Sequence, residues 1–160
     1  MIRLSSIEDL PQIVDIYNQT IPLGYVTADT EKQSIDDRLD WYYQFNEKRP
    51  LWVMEEDNKI VAWCSLKSFY GRPAYNITVE IGIYVHEDYR QARLGESLLL
   101  YAFQESKKLE IETILAFIFA HNIGSMHFFK KHGFIEYGLL PGVARNANQY
   151  IDLAILGYKL

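Results

Sequence analysis

One segment of this 160-residue chain, IGIYVHEDYRQARLGESLLLYAF at residues 81–103, restricts the possible folds more than any other. Its apolar, strand-like start ends at Val85, a polar turn follows, and an amphipathic helix begins near Leu94. The first amide N–H groups of such a helix have no partner inside the helix, and together with the helix dipole they favour an anion. Arg90 and Arg93 add positive charge, and Gly95 lets a ligand approach the backbone. The segment predicts an anion-binding strand–turn–helix unit, although it also fits an ordinary crossover with two solvated arginines.

The rest of the chain predicts strands and helices that follow one another without a repeat or a linker. Predicted strands cover residues 2–4, 51–55, 60–69, 75–85, 113–120, 134–139 and 150–156. Predicted helices begin near residues 9 and 34, cover residues 94–109, and run from residue 122 or 125 to residue 133. This order of elements predicts a mixed α/β fold in a single domain over residues 1–160.

Local signals place the ends of several of these elements. Ser5 and Glu8 have the spacing of a capping box, but Pro11 would then lie inside the helix, so we expect the main helix to begin nearer Asp9 with Pro11 in its first turn. The dipeptide Asp57-Asn58 between two strand-like runs predicts a hairpin. Gly133 is expected to close the last helix as a left-handed cap.

The composition argues against several classes of function. An apolar share of 49% and a charged share of 23% fit one well-packed domain rather than a disordered chain. A net charge of −5 disfavours nucleic-acid binding, which usually requires a basic face. The single cysteine, Cys64, permits no internal disulfide, and the sequence shows neither a signal peptide nor a membrane-spanning stretch. We therefore expect a cytoplasmic protein without nucleic-acid or membrane partners.

The turn at residues 90–97, RQARLGES, resembles a known cofactor-binding motif. It is similar to the acetyl-CoA turn of the GNAT acetyltransferases, whose pattern is [QR]-x-x-G-x-[GA]. Arg90 fills the first position and Gly95 the last, whereas Arg93 replaces the middle glycine. If that position requires a positive φ or a bare backbone, Arg93 should weaken cofactor binding; otherwise its guanidinium can assist a phosphate.

The segment NIGSMHFFKKHGFIEYG at residues 122–138 resembles a second family pattern, N-x-x-S-x-x-[FL]-[YH]-x-K-x-G-F. The resemblance implies that Asn122 binds the pantetheine arm of the cofactor. Asn122 and Ser125 are also typical helix-capping residues, and both roles can coexist. Phe129 stands where many members carry a Tyr or His that protonates the departing thiolate, and a phenyl ring donates no proton.

Nearly the whole chain resembles the phosphinothricin and methionine-sulfone acetyltransferase branch of this family. The similar stretches are IRLSSIEDLPQIVDIYN near the N-terminus, RPAYNITVEIGIYV at residues 72–85, and LLPGVARNANQYIDLAILGYKL at the C-terminus. The resemblance implies the GNAT fold, a central, mostly antiparallel twisted sheet of about seven strands flanked by about four helices. It also implies acetyl-CoA as the cosubstrate, no metal, and a homodimer.

The resemblance further implies where acetyl-CoA binds. The expected cofactor-binding residues are Ile83, Tyr84, Val85, Arg90, Gln91, Ala92, Arg93, Leu94, Gly95, Glu96, Ser97, Asn122, Ser125 and Phe129. A backbone N–H within residues 83–85, where the family's strand splays from its neighbour, is expected to stabilise the oxyanion of the tetrahedral intermediate.

Glu80 is the candidate general base. Attack on a thioester requires a neutral amine, yet an alkyl amine with a pKa of about 10 is protonated near pH 7. A carboxylate on a central strand can accept that proton directly or through a water. Glu80 lies in the TVE segment and matches the position of the branch's base. Without the resemblance, Glu80 would more simply be a strand glutamate that faces water or pairs with a basic residue.

Arg72, Tyr75 and Thr78 precede Glu80 where the branch holds an amino-acid-like substrate. Arginine suits a carboxylate or phosphinate because its planar fork binds two oxygens, although Arg72 also fits a plain turn residue. Ala28 stands where relatives often have Phe, which predicts a changed pocket. The predicted reaction is acetyl transfer to the primary amine of a small, amino-acid-like substrate. The alternatives are a non-catalytic acetyl-CoA-binding module and a peptide or protein N-acetyltransferase.

Overall fold

The computed structural model describes residues 1–160 and contains one seven-stranded sheet and four α-helices. The strands are β1 (Ile2–Leu4), β2 (Leu51–Glu56), β3 (Lys59–Ser68), β4 (Thr78–Val85), β5 (Thr113–Phe119), β6 (Ile135–Asn146) and β7 (Gln149–Lys159). The helices are α1 (Leu10–Asn18), α2 (Ile35–Tyr42), α3 (Leu94–Lys108) and α4 (Ile123–Lys131). The predicted mixed α/β fold and the predicted order of its elements are confirmed. None of the helices has the length and apolar character that a membrane span requires.

The sheet has the strand order β1-β2-β3-β4-β5-β7-β6, and β4 with β5 is its one parallel pair. Helix α3 forms the crossover that this parallel pair requires. The pairing of β4 with β5 extends over only three residues, from Thr78 to Glu80. Beyond Glu80, β4 continues to Val85 beside β3 alone, while β5 continues to Phe119 beside β7. The two central strands therefore diverge.

Helices cover both faces of the sheet, and the buried residues form one cluster on each face. The larger cluster takes from α3 and α4 the side chains of Leu98, Leu99, Ala102 and Phe129. The smaller cluster takes from α1 the side chains of Ile13, Ile16 and Tyr17, with Trp41 of α2 packed against it. Since side chains alternate along a strand, Val79 and Ile81 of β4 enter the larger cluster, whereas Tyr84 contacts the smaller one. Glu80 lies four residues before Tyr84 in β4, so its side chain points to the same face of the sheet, the one that α1 and α2 cover.

The first helix and the hairpin lie close to where the sequence predicts them. The predicted capping box at Ser5 and Glu8 is wrong by one residue, because the Ser6 N–H donates to Asp9 Oδ2 at 2.8 Å. Helix α1 begins at Leu10 with Pro11 in its first turn, as predicted. The predicted hairpin is confirmed, since Asp57 and Asn58 adopt φ values of 49° and 63° between β2 and β3.

Three strands differ from the prediction by more than one residue at an end, among them β7, which extends to Lys159 rather than to residue 156. Strand β4 begins at Thr78 rather than at residue 75, because Pro73–Tyr75 forms a 3₁₀ turn. Strand β6 extends to Asn146 and includes Pro141, which an edge strand tolerates because one side of its backbone has no partner strand. Gly133 closes α4 with a φ of 94°, as predicted.

Candidate active site

The divergence of β4 from β5 exposes backbone hydrogen-bonding groups in the middle of the sheet. Amide groups along an antiparallel strand point alternately to one neighbour and the other, and the His86 N–H donates to Val61 O of β3 at 2.9 Å. By this alternation the amides of Ile83 and Val85 face away from β3, toward the gap. The amide of Tyr84 faces β3, so only Ile83 and Val85 of residues 83–85 direct an amide to the gap, although Tyr84 lines the cleft there. Its side chain stacks on Trp63, with ring centroids 4.4 Å apart.

Asn122 lies on the opposite side of the gap, just after the end of β5. Its side chain is buried, and Asn122 Oδ1 accepts a hydrogen bond from the Ser125 N–H at 3.2 Å. The capping alternative for Asn122 is therefore present in the structure. Both residues also line a cleft of about 550 Å³ with Ile83, Val85 and the loop that follows α1. The structure thus places the cap and the diverging strand on one cavity.

The turn before α3 forms a second cleft, of about 350 Å³, beside Val85. The residues from the turn and the helix start that line it are Arg90, Gln91, Arg93, Leu94, Gly95 and Glu96. The amide N–H groups of residues 94–96 have no acceptor within the protein, as expected for a helix start. A Cβ on Gly95 would lie 3.7 Å from Ile83 Cγ2, an ordinary contact, so the fold itself accepts Ala there. Ala92 and Ser97 belong to the same segment but do not line the cleft.

Arg93 has a left-handed backbone, with φ of 59° and ψ of 25°. Glycine adopts this conformation freely, whereas other residues pay roughly 1–2 kcal/mol. The position therefore requires a positive φ, and the chain meets that requirement with a strained arginine. Gln91, two residues earlier, also has a positive φ of 73°. The turn is thus built to direct consecutive backbone amides outward, at a cost in conformational strain.

Positive charge surrounds this turn, with one exception. Arg90, Arg93 and Lys131 line the cleft, and Arg90 Nε donates to Val85 O at 3.4 Å. Glu96 is the acidic residue of the lining, and its Oε1 lies 3.4 Å from His132 Nε2. The surroundings favour an anion bound to the free amides of α3.

Glu80 lines a third cleft, of about 340 Å³, between the sheet and helices α1 and α2. Its Oε2 lies 3.6 Å from Lys67 Nζ, and its side chain is 31% exposed. Pairing with a basic residue, the alternative to a general base, is therefore present, while the carboxylate stays open to the cleft. On the opposite wall, the Tyr17 hydroxyl donates to Asp29 Oδ2. Burial, together with this hydrogen bond, raises the pKa of Tyr17 to about 12.

Neighbouring clefts share lining residues, so the three clefts adjoin one another across the molecule. Val85 and Arg90 line both the turn cleft and the gap cleft, and Tyr84 lines both the gap cleft and the Glu80 cleft. A long ligand can therefore contact the N-terminus of α3, the open edge of β4 and the surroundings of Glu80 at once.

The structure does not bring every predicted site residue to this path. Arg72 is exposed ahead of the 3₁₀ turn, and Tyr75 packs on Phe69 at a centroid distance of 5.4 Å. Neither residue lines the Glu80 cleft. Thr78 is the first residue of β4 and pairs with Thr113 of β5. Because Thr78 lies two residues before Glu80, both side chains point to the same face of the sheet. The sequence assignment of Arg72 and Tyr75 to the pocket differs from the structure because the 3₁₀ turn carries them away from the strand.

Phe129 also differs from its predicted place. It is 7% exposed and packs against Phe128 and Phe134 in the larger cluster. An apolar ring at this position of α4 gains more from the core than from a polar cleft. Cys64 is likewise buried, and burial raises the pKa of its thiol, which fits a core residue.

Sequence reasoning missed several residues that line the Glu80 cleft. They come from α1, α2, the loop between these helices, and β3: Tyr17, Thr27, Asp29, Arg38, Trp41, Trp63 and Lys67. In the sequence, the aromatic residues on these helices and on β3 are typical of core positions, and the loop has no periodicity. Only the packing of α1 and α2 against β4 brings these residues to Glu80.

Comparison with known proteins identifies the family to which this arrangement belongs. The sequence model of the acetyltransferase (GNAT) family matches residues 10–134. The chain therefore belongs to the GNAT acetyltransferase family. It is 46% identical over 160 residues to a Bacillus subtilis protein named "putative phosphinothricin acetyltransferase", covering 99% of this chain and 98% of that relative.

Two further comparisons give another relative and a structure of the same fold. An L-methionine sulfoximine/L-methionine sulfone acetyltransferase from Pseudomonas aeruginosa is 25% identical over 163 residues, covering 99% of this chain and 94% of the relative. A GNAT phosphinothricin acetyltransferase from Sinorhizobium meliloti, solved in complex with acetyl-CoA, shares the fold with a TM-score of 0.90. That structure is 22% identical and covers 100% of this chain and 88% of its own.

Replacement of Arg93 tests whether its left-handed backbone is strained. Arg93→Gly and Arg93→Ala both remove the guanidinium, but only glycine adopts the observed φ without strain. We expect the glycine variant to be more stable than the alanine variant by about 1 kcal/mol. Urea unfolding of the two proteins measures the difference, and equal midpoints would show that the turn stores no strain.

Proposed function

We propose that this GNAT protein transfers an acetyl group from acetyl-CoA to the primary amine of a small, amino-acid-like acceptor, with Glu80 as general base. The observation that carries the proposal is the row of adjoining clefts from the free amides of α3, along the open edge of β4, to Glu80. A cosubstrate with an anionic end and a long arm fits the first two parts, and an amine acceptor fits the third.

The turn and the gap supply different contacts to acetyl-CoA. Its pyrophosphate would bind the free amide N–H groups of residues 94–96, where the helix dipole and Arg90 favour negative charge, whereas the Ala92 N–H of the predicted segment already donates to Tyr89 O. Its pantetheine arm carries amide groups, and these would pair with the open backbone of Ile83 and Val85 as a neighbouring strand would. Asn122 would contact the same arm from the other side of the gap.

Glu80 would act on the acceptor amine. The carboxylate is half-buried beside Lys67, which restrains its position through the ion pair. It accepts the ammonium proton, directly or through a water, and the neutral amine then attacks the thioester carbonyl. A free amide N–H of Ile83 or Val85 would stabilise the resulting oxyanion. Since Phe129 is in the core, we infer that water protonates the departing thiolate.

An assay of acetyl-CoA binding and thiol release tests this function. We expect acetyl-CoA and coenzyme A to raise the unfolding temperature of the protein, because a ligand that binds only the folded state stabilises it. We expect acceptor-dependent release of coenzyme A across a panel of amino acids, sulfone and sulfoximine analogues, polyamines and peptides. Binding without turnover of any amine would favour the non-catalytic module, and turnover of peptides alone would favour a peptide acetyltransferase. The absence of any stabilisation at millimolar acetyl-CoA would contradict the proposal itself.

Glu80→Gln tests the general base. The amide keeps the shape of the side chain but accepts no proton, so kcat/KM for the acceptor should fall by roughly 10²–10³. Higher pH should restore part of the rate, because more of the acceptor is then already neutral. Lys67→Met is the matched variant, since it breaks the same ion pair and keeps the carboxylate. An equal loss in both variants would assign the effect to the ion pair rather than to proton transfer.

We also propose a homodimer that uses the C-terminal hairpin. Exposed apolar side chains gather on edge strand β6 and the start of β7, namely Ile135, Tyr137, Leu139, Leu140, Val143 and Tyr150. Such a patch on a sheet edge suits a self-complementary contact. Light scattering should give twice the monomer mass at micromolar concentration, and Leu139→Lys should lower it. A monomeric wild-type protein would refute the dimer.

The organisation as a single domain over residues 1–160 is a proposal that the shared sheet supports, since β1 and β7 lie in it together. The cytoplasmic location stays a prediction of the sequence.

A further inference from the structure

The Glu80 cleft contains four charged side chains, and their pairing is uneven. They are Asp29, Arg38, Lys67 and Glu80. Lys67 Nζ lies 3.6 Å from Glu80 Oε2, and Asp29 accepts the hydrogen bond of the Tyr17 hydroxyl. Arg38 has neither an ion-pair partner nor a hydrogen-bond acceptor within the protein. One guanidinium therefore faces this cavity with all its donors free.

Aromatic rings, rather than an acid, hold Arg38 in place. Its Cζ lies 4.4 Å from the centroid of the Tyr17 ring and 4.0 Å from that of the Trp41 ring. Trp41 contacts Trp63 edge-on at 5.4 Å between centroids, and Trp63 Nε1 donates to Ile13 O at 3.1 Å. A cation–π contact uses the charge of the guanidinium but leaves the N–H groups at its edge available. Arg38 is thus positioned in advance for a planar anion.

Arg38 and Glu80 act on the same region of the cleft. Both side chains line the cleft together with Tyr84, which lies on the same strand as Glu80. An acceptor that bridges them would present one end to the guanidinium and the other to the carboxylate.

We propose that Arg38 binds a carboxylate of the acceptor and thereby selects amines that carry an acidic group. The proposal rests on the acetyl transfer proposed above and names the residue that defines its acceptor class. A guanidinium binds a carboxylate through two parallel hydrogen bonds, and the amine of a small amino acid then extends toward Glu80. The sequence predicts this role for Arg72, but Arg72 lies outside the cleft.

Matched acceptors test the proposal. Each pair is an α-amino acid and its carboxamide, which keeps the amine and the side chain but lacks the negative charge. Binding to the enzyme–coenzyme A complex is measured by tryptophan fluorescence, since Trp41 and Trp63 line the cleft, and turnover by thiol release. We expect the wild type to prefer the acids by about 10- to 100-fold in Kd. Arg38→Ala should lose this preference while its affinity for coenzyme A is unchanged.

Three further variants separate the charge from its position. Arg38→Lys should keep part of the preference, because an ammonium retains the charge but not the fork. Lys48→Ala removes an exposed positive charge outside the cleft and should keep the whole preference. Loss of the preference in Arg72→Ala, with retention in Arg38→Ala, would overturn the assignment.

The readouts distinguish this proposal from the proposed function. Acid-selective binding that depends on Arg38, without turnover of any pair, would retain the anchor and remove the acetyl transfer. Equal binding and turnover of acids and carboxamides by the wild type would overturn the role of Arg38 and retain the acetyl transfer. Equal acid preference in the wild type and in Arg38→Ala would also overturn it.

Discussion

The short pairing of β4 with β5 is the constraint on which the rest of the site depends. Each strand keeps its other neighbour, so the divergence beyond Glu80 leaves backbone groups without partners in the middle of a sheet. Unpaired amides in such a place are costly unless water or a ligand satisfies them. The fold accepts this cost at the gap because α3 and α4 still cover the sheet and bury its apolar face. The site for a long, amide-bearing cosubstrate therefore follows from the topology.

The turn before α3 adds a second unsatisfied edge next to the first. Free amides at the helix start and a strained turn residue, Arg93, point the backbone outward at the end of β4. Because Val85 lines both cavities, the anion site and the open strand edge form one surface. Glycine would remove the strain at residue 93, whereas arginine adds a charge where an anion is expected. The chain therefore combines a conformational cost with an electrostatic gain at one residue.

The acceptor end is organised by aromatic packing. Tyr17 of α1 and Trp41 of α2 contact the Arg38 guanidinium with their rings, and Arg38 lines the cleft beside them. Lys67 pairs with Glu80 and the Tyr17 hydroxyl donates to Asp29, so Arg38 is the charged group of this end that has no ion-pair or hydrogen-bond partner. An acidic protein can thus offer a cationic contact to a small acceptor, since local pairing rather than net charge decides what the cleft attracts.

The sequence by itself determined the elements, because hydrophobic period, capping residues and turn residues are local. It determined the strand–turn–helix at residues 81–103, the position of Glu80 on a central strand, and the family motifs around Gly95 and Asn122. It did not determine which residues surround Glu80. Arg72 is near in sequence but is carried away by a 3₁₀ turn, while Arg38, 42 positions distant in the chain from Glu80, enters the cleft because α2 packs beside α1. The tertiary structure alone decided these contacts, since a pocket forms where elements distant in sequence pack together.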